Sequence, residues 1–310
     1  NIININTFFM NAISITIFSI IIMIAVGYTL KRIDFISAND GDILNKIVMY
    51  VLMPCMIFNA VYNAELSQFS QLCVLPCIIM FSYLIIGVIS YLILKRLHYD
   101  DKKIWSILVC LVIANTAFMG YPINLGIFGQ EGLLRAIFCD VSTLCIFLVL
   151  SFVLILKFGG TLKSAVVKTL LFPSLWSVIL GLIFNFLNIP IGSVLDNTIS
   201  YLGQGAIPLI MITLGLSIDF SALKRSKSMI VFTSAMKLMI LPAITFLIAK
   251  MLGIVDLQFK VLIIESAMPS AMLALLLAIT YDLDYELTSD CIFINTVISL
   301  ITLPIIISFV

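Results

Sequence analysis

Apolar residues run along this chain in blocks of membrane length, divided by short polar interruptions. A helix needs about 20 apolar residues to cross a bilayer. Ten blocks reach that length, at roughly 8–30, 43–63, 72–94, 104–127, 132–156, 166–187, 198–218, 229–249, 259–280 and 289–309. They are numbered here as predicted helices 1 to 10. The longest polar interruptions are 31–42, 95–103 and 157–168, with no linker or low-complexity tract. The first block is too long for the apolar core of a secretory leader and no basic residue precedes it, so it reads as a membrane helix.

The pattern repeats. Gly27 and Gly181, Pro54 and Pro208, and Phe18 and Phe172 each stand 154 residues apart. The chain therefore divides into halves, 1–156 and 157–310, with five predicted helices in each. An odd number of crossings turns the second half upside down relative to the first. The expected fold is an all-α polytopic membrane protein of ten transmembrane helices, arranged as two inverted five-helix repeats.

Composition agrees with lipid as the solvent. Hydrophobic residues make up 62% and charged residues 11%, against about 25% charged in soluble domains; the mean hydropathy is +1.22. A net charge of +1 gives no case for a nucleic-acid partner. The seven cysteines form no C-x-x-C pair, and the single histidine, His98, cannot complete a zinc site. No metal site or cofactor is expected, and no nucleophile–base set that would make an enzyme. A channel would need a continuous polar lining, and only isolated polar residues occur.

Basic residues set the expected topology. Loops after helices 1, 3, 5 and 7 carry Lys31, Arg32, Lys95, Arg96, Lys102, Lys103, Lys157, Lys163, Lys168, Lys224, Arg225 and Lys227; the opposite set carries Arg135, Lys250 and Lys260. Twelve against three places the odd loops in the cytoplasm and both termini outside a plasma membrane.

Predicted helices 4 and 9 carry signs of a break. Helix 4 reads Asn115-Thr116-Ala117-Phe118-Met119-Gly120-Tyr121-Pro122, and helix 9 reads Glu265-Ser266-Ala267-Met268-Pro269-Ser270. Proline lacks an amide hydrogen and clashes with the preceding turn. Unwound backbone at membrane depth is tolerated only against protein or a watery cavity, so the two breaks are expected to face each other and cross. Each break exposes amide groups with partial positive charge, a seat for a carboxylate beside Asn115 and Thr116. Carbonyls on the other side suit a small cation.

Ionisable groups at depth are candidates for coupling. Glu265 lies just before the break, with sodium or a proton as its candidate partner. Asp140 lies in helix 5, where Glu131 and Arg135, four residues apart, are expected to pair with each other. Lys237 in helix 8 is expected to snorkel toward the cytoplasm, the alternative being that it balances Glu265 or Asp140. Asp290 and Lys46 read as interfacial, and Asn295 as lining a cavity or bridging helices.

The run from Asn115 to Pro122, followed by Phe128-Gly129-Gln130-Glu131-Gly132, resembles the helix 4 signature of the auxin efflux carrier family. Ala267-Met268-Pro269-Ser270-Ala271 and Ser299-Leu300-Ile301-Thr302-Leu303-Pro304 resemble its last two helices. The resemblance implies a fold like the bile-acid/sodium symporters. Helices 1, 2, 6 and 7 would form a scaffold and a homodimer surface through helices 2 and 7; helices 3–5 and 8–10 would form a moving transport domain. Asn115, Pro122 and Pro269 match the crossing residues. The implied function is elevator-type transport of a small organic anion, malonate- or auxin-like. The short 157–168 loop departs from plant auxin carriers and favours a prokaryotic-type member. The alternative is a sodium- or proton-coupled carrier of a non-anionic solute. Substrate contacts are expected from Asn115, Thr116, Gly120, Tyr121, Pro122, Pro269 and Ser270, with the amides near Gly120–Tyr121 and near Ser270 as donors.

Overall fold

The computed structural model describes residues 2–36, 38–66, 69–160, 163, 166–167, 170–218 and 227–310, with side chains from residue 14 onward except at 38 and 39. Lys168, Lys224 and Arg225, part of the basic bias above, lie outside the described residues. Regular structure among the described residues is helical: α1 Ile2–Arg32, α2 Ala38–Ile47, α3 Met53–Tyr62, α4 Phe69–Arg96, α5 Asp101–Val112, α6 Tyr121–Phe158, α7 Pro173–Phe186, α8 Gly192–Gln204, α9 Ala206–Leu216, α10 Lys227–Ala235, α11 Leu241–Met251, α12 Asp256–Ser266, α13 Met272–Thr280 and α14 Tyr285–Phe309.

Three π turns join some of these pieces: Val48–Leu52, Thr116–Gly120 and Met236–Ile240. Each ends two residues before a proline, Pro54, Pro122 or Pro242. A proline cannot donate to the carbonyl four residues back, and its ring crowds that carbonyl. Widening the turn by one residue relieves both problems without ending the helix. A different device acts at Gly129, which has φ 66° and ψ −156° inside α6. Two helices meet at this glycine, so the stretch expected to separate predicted helices 4 and 5 is a glycine joint between them. A side chain there would be strained by the positive φ.

Seven helical runs among the described residues are long and apolar enough to cross a membrane: Ser14–Arg32, Asp40–Tyr62, Phe69–Arg96, Thr116–Phe158, Gly192–Leu216, Lys227–Met251 and Tyr285–Phe309. The protein is an integral membrane protein. Three of the ten predicted blocks are cut short instead. Pro173–Phe186 is a shorter apolar helix. The start of helix 4 is the 12-residue α5, and helix 9 is divided into the 11-residue α12 and the 9-residue α13. At about 1.5 Å per residue each piece spans roughly half of a hydrocarbon core.

The chain forms two compact units. The first comprises 1–69, 121–137 and 170–218, the second 70–120, 138–169 and 219–310. In the first unit helices approach at glycines. A Cβ on Gly27 of α1 would stand 2.0 Å from the Ile212 carbonyl oxygen of α9, and one on Gly181 of α7 would stand 2.9 Å from the Val61 Cβ and 3.4 Å from the Phe58 carbonyl oxygen of α3. Polar side chains cap the ends of these helices. The Lys31 ammonium donates to the Ile218 carbonyl at 2.9 Å, and the Asn185 amide donates to the carbonyls of Val61, Tyr62 and Ala64 at 3.2, 2.7 and 2.9 Å.

The second unit holds both helix interruptions. Asp100 caps α5 by accepting from the Lys103 amide, and Asp284 caps α14 by accepting from the Leu287 amide, each at 3.0 Å. Ion pairs Lys102–Asp282 at 2.6 Å and Lys157–Asp101 at 2.7 Å lie at helix ends.

Candidate functional site

The chain leaves helical geometry at 113–115 and again between Ser266 and Met272. The second break has a local cause. A residue before proline is pushed out of the α region, so α12 cannot run through Met268-Pro269. The first break comes seven residues ahead of Pro122, which the π turn has already accommodated. What fixes it is a partner. The Asn115 amide donates to the Pro269 carbonyl at 2.8 Å and the Ala271 amide donates to the Ile113 carbonyl at 3.0 Å, forming an isolated antiparallel bridge between Ala114 and Ser270. Each break supplies the backbone partners that the other lacks, which is how non-helical backbone survives without water.

Three of the carbonyls released at the end of α5 have protein partners. Val109 O accepts from the Ile113 amide at 3.1 Å, Cys110 O from the Ser270 hydroxyl at 2.7 Å, and Leu111 O from the Lys237 ammonium at 2.7 Å. At the end of α12, Ile263 O and Ile264 O accept from the Ala267 amide and Glu265 O from the Met268 amide. At each carbonyl end, three carbonyls are held by protein groups.

The amide ends differ. Helical geometry resumes at Thr116 and at Met272, and the first-turn amides of a helix have no partner within it. The donors opened by the breaks therefore belong to 116–118 and 272–273. Of the donors named from the sequence, those near Ser270 adjoin 272–273, while Gly120 and Tyr121 lie inside continuous helix, with their amides past the first turn. Asn115, Ala117, Phe118 and Ala271 are half-buried here, and Asn115 offers a side-chain amide at the surface of the break.

The other residues predicted for this site are buried. Thr116 donates to Asp140 and stands 3.3 Å from the Thr143 hydroxyl. Ser270 donates to Cys110 and accepts from the Asn295 amide at 2.8 Å, so its hydroxyl is engaged in holding the bridge. Tyr121, Pro122 and Pro269 are buried with no side-chain surface at the break. The structure thus brings Asn115, Thr116, Pro269 and Ser270 together around the bridge.

The acidic residues stand behind it. Glu265 is fully buried in the last turn of α12, and its carboxylate lies on the backbone of Gly120: a Cβ there would meet Oε1 at 2.3 Å. Asp140, 8% exposed, holds the hydroxyl of the first residue after the first break. Glu131 and Arg135 pair with each other one turn past the Gly129 kink. Lys237 does not snorkel. It is wholly buried, because the π turn and the Leu111 carbonyl hold its ammonium inside. Asp290, read from the sequence as interfacial, is 6% exposed.

Tyr83, Thr143 and Ser234 escaped the sequence reading. Tyr83 receives the Lys237 ammonium, Thr143 joins Thr116, and Ser234 donates to Asn295 at 2.6 Å. Tyr83 had a signal: it stands 154 residues before Lys237.

Comparison with known proteins gives a consistent result. A family described as membrane transport protein matches residues 12–164 and 158–307. An uncharacterized transporter of Methanothermobacter thermautotrophicus is 39% identical over 289 residues, covering 93% of this chain and 95% of its own. An uncharacterized transporter of Methanocaldococcus jannaschii is 34% identical over 290 residues, covering 92% and 94%.

Proposed function

Since the chain belongs to the auxin efflux carrier family of membrane transport proteins, we propose that it is a secondary active carrier of a small organic anion, a mono- or dicarboxylate of malonate size. The bridge between the two helix breaks carries this reading. It sets two half-helix amino ends at one place, and each such end carries about half a positive charge. With the Asn115 amide they make a seat for a carboxylate. Asn115 is the first contact, the amides of 116–118 and 272–273 the field, and Thr116, Pro269 and Ser270 the frame.

In this reading the fold is ten crossings in two inverted repeats. Contacts related by the 154-residue shift support it. Gly27 meets Ile212 and Gly181 meets Phe58; Lys31 reaches Ile218 and Asn185 reaches Ala64. Asn115 and Pro269, joined at the bridge, are themselves 154 apart. Movement would be an elevator-like slide of helices 3–5 and 8–10 against helices 1, 2, 6 and 7, which also offer the dimer surface. The carrier would sit in the plasma membrane with both termini outside. Glu265 and Asp140 are the coupling groups, through a proton or sodium.

A second reading is coupled transport of a non-anionic solute. It is favoured by the same two buried acids beside the crossing. A thermal-shift screen against mono- and dicarboxylates, with and without sodium and at two pH values, separates the two. A ligand at one hundred times its Kd stabilises by about 2.7 kcal/mol. The expected outcome is a carboxylate that raises the melting temperature of the parent and not of Asn115→Ala. No shift with any carboxylate, in intact protein, would sink the anion reading.

A further inference from the structure

We propose that Lys237 is a built-in counter-cation, which holds the place at the carbonyl end of the broken helix α5 that a mobile cation would otherwise have to fill. Its ammonium is wholly buried, 2.7 Å from Leu111 O, 3.5 Å from the Tyr83 hydroxyl and 4.6 Å from the centre of the Tyr83 ring. Among the described residues no ion pair includes it. A lysine kept inside a membrane protein without a carboxylate partner needs other compensation. Here it comes from the negative end of a helix and the face of an aromatic ring.

The position is specific. α5 ends at Val112, and its last carbonyls point into protein where no water can reach them. Half-helix carboxyl ends of this kind coordinate sodium or a proton in carriers built from broken helices. The neighbouring carbonyl of Cys110 is taken by Ser270, which belongs to the opposite break. Lys237 and Ser270 therefore close one helix end together, and Ser270 is part of the bridge. The cation is delivered by a π turn, Met236–Ile240, so its placement is set by backbone geometry and the proline behind it.

The consequence is a positive charge that belongs to the chain rather than to a bound ion, set at the crossing and paired with the helix end. An anion can then enter the amino-end seat without a sodium ion bound at the α5 end. The malonate arm of the test rests on the anion reading above; the salt arm does not.

The test uses the full purified chain, with Lys237→Ala and Lys237→Met. Melting temperature is measured in sodium chloride and in choline chloride at equal ionic strength, and again with propylammonium chloride. The parent is expected to melt alike in sodium and choline. Lys237→Ala should melt lower and recover saturably with propylammonium, which refills the vacated volume with a charged head. Lys237→Met, whose stem fills that volume without charge, should not recover. Malonate binding, independent of sodium in the parent, should weaken about tenfold or more in Lys237→Met. Saturable stabilisation by sodium that persists when Glu265→Gln and Asp140→Asn remove the carboxylates named above as coupling groups overturns the proposal, as does a folded Lys237→Ala indifferent to propylammonium. Should the alanine variant not fold, Lys237→Met decides: malonate affinity equal to the parent's overturns it, and a sodium-independent loss supports it. Failure of malonate to bind the parent counts against the anion reading and leaves the salt comparison to judge Lys237.

Discussion

Gly120 and Glu265 meet because one of them has no side chain. The Glu265 carboxylate occupies the space where a Cβ on residue 120 would stand, 2.3 Å from Oε1 and 2.5 Å from Oε2. Overpacking of a buried site costs about 1–3 kcal/mol. Gly120→Ala is therefore expected to lower stability by that order, and adding Glu265→Ala should return most of it. Denaturant melts of the two single variants and the double variant give the coupling; simple additivity would show that the carboxylate does not lie there. This contact was legible only in part. The sequence picked out both residues, Gly120 for flexibility and Glu265 for its charge at depth. It assigned Gly120 to the substrate, because a linear reading cannot see that α12 passes over the π turn. Lys237 was misread for a related reason. Snorkelling is the ordinary fate of a membrane lysine, and only the position of Leu111 O makes the inward path the shorter one.

Among the elements, the breaks and the π turns look alike in sequence and act differently. The second break and the π turns each have a proline beside them, yet Pro122 and Pro242 stand in continuous helical runs behind widened turns, while Pro269 stands in the extended bridge. The reading of helix 4 placed its break near the right residues and blamed the wrong one. The break at 113–115 is set by pairing with 269–271, a long-range contact with no local signature. Pro122→Ala should then leave the bridge intact and change stability by less than about 1 kcal/mol. Pro269→Ala removes the bar against helix at Met268 and should let α12 extend, with loss of slow amide exchange at Asn115 and Ala271. Equal exchange in both variants would defeat that assignment. At the start of α5 a smaller effect depends on pH. Burial pushes the Asp100 carboxyl up, but hydrogen bonds from the Lys103 amide and side chain outweigh it and hold it below its ordinary value. A carboxyl lowered on folding stabilises above its unfolded value, near about 4, and that gain fades as pH falls through the lower folded value. The stability difference between the parent and Asp100→Asn should shrink between pH 5 and roughly pH 3, by less than about 1 kcal/mol because the group is largely exposed.

For the molecule as a whole, the offset of 154 residues makes a claim that reaches beyond any one site. Under that shift Lys237 falls on Tyr83 and Asn115 falls on Pro269, and in both cases the two residues touch. A residue in contact with its own counterpart lies close to the axis that relates the two halves. In the inverted-repeat reading proposed above, the two contacts would put such an axis near the bridge and the buried ammonium of the second unit. If the axis runs in the plane of the membrane, positions 154 apart must face opposite sides. Asn63, just past α3, and Ser217, just past α9, are such a pair and both are exposed. In a background with the seven cysteines replaced, Asn63→Cys should react with a membrane-impermeant maleimide added outside intact cells. Ser217→Cys should react only after the membrane is opened, in keeping with the Lys and Arg bias of the odd loops. Labelling of both from one side would make the halves parallel. The helix breaks would then still meet, but the two amino ends could no longer be exchanged between the faces of the membrane by symmetry, and the alternating-access reading would lose its structural basis.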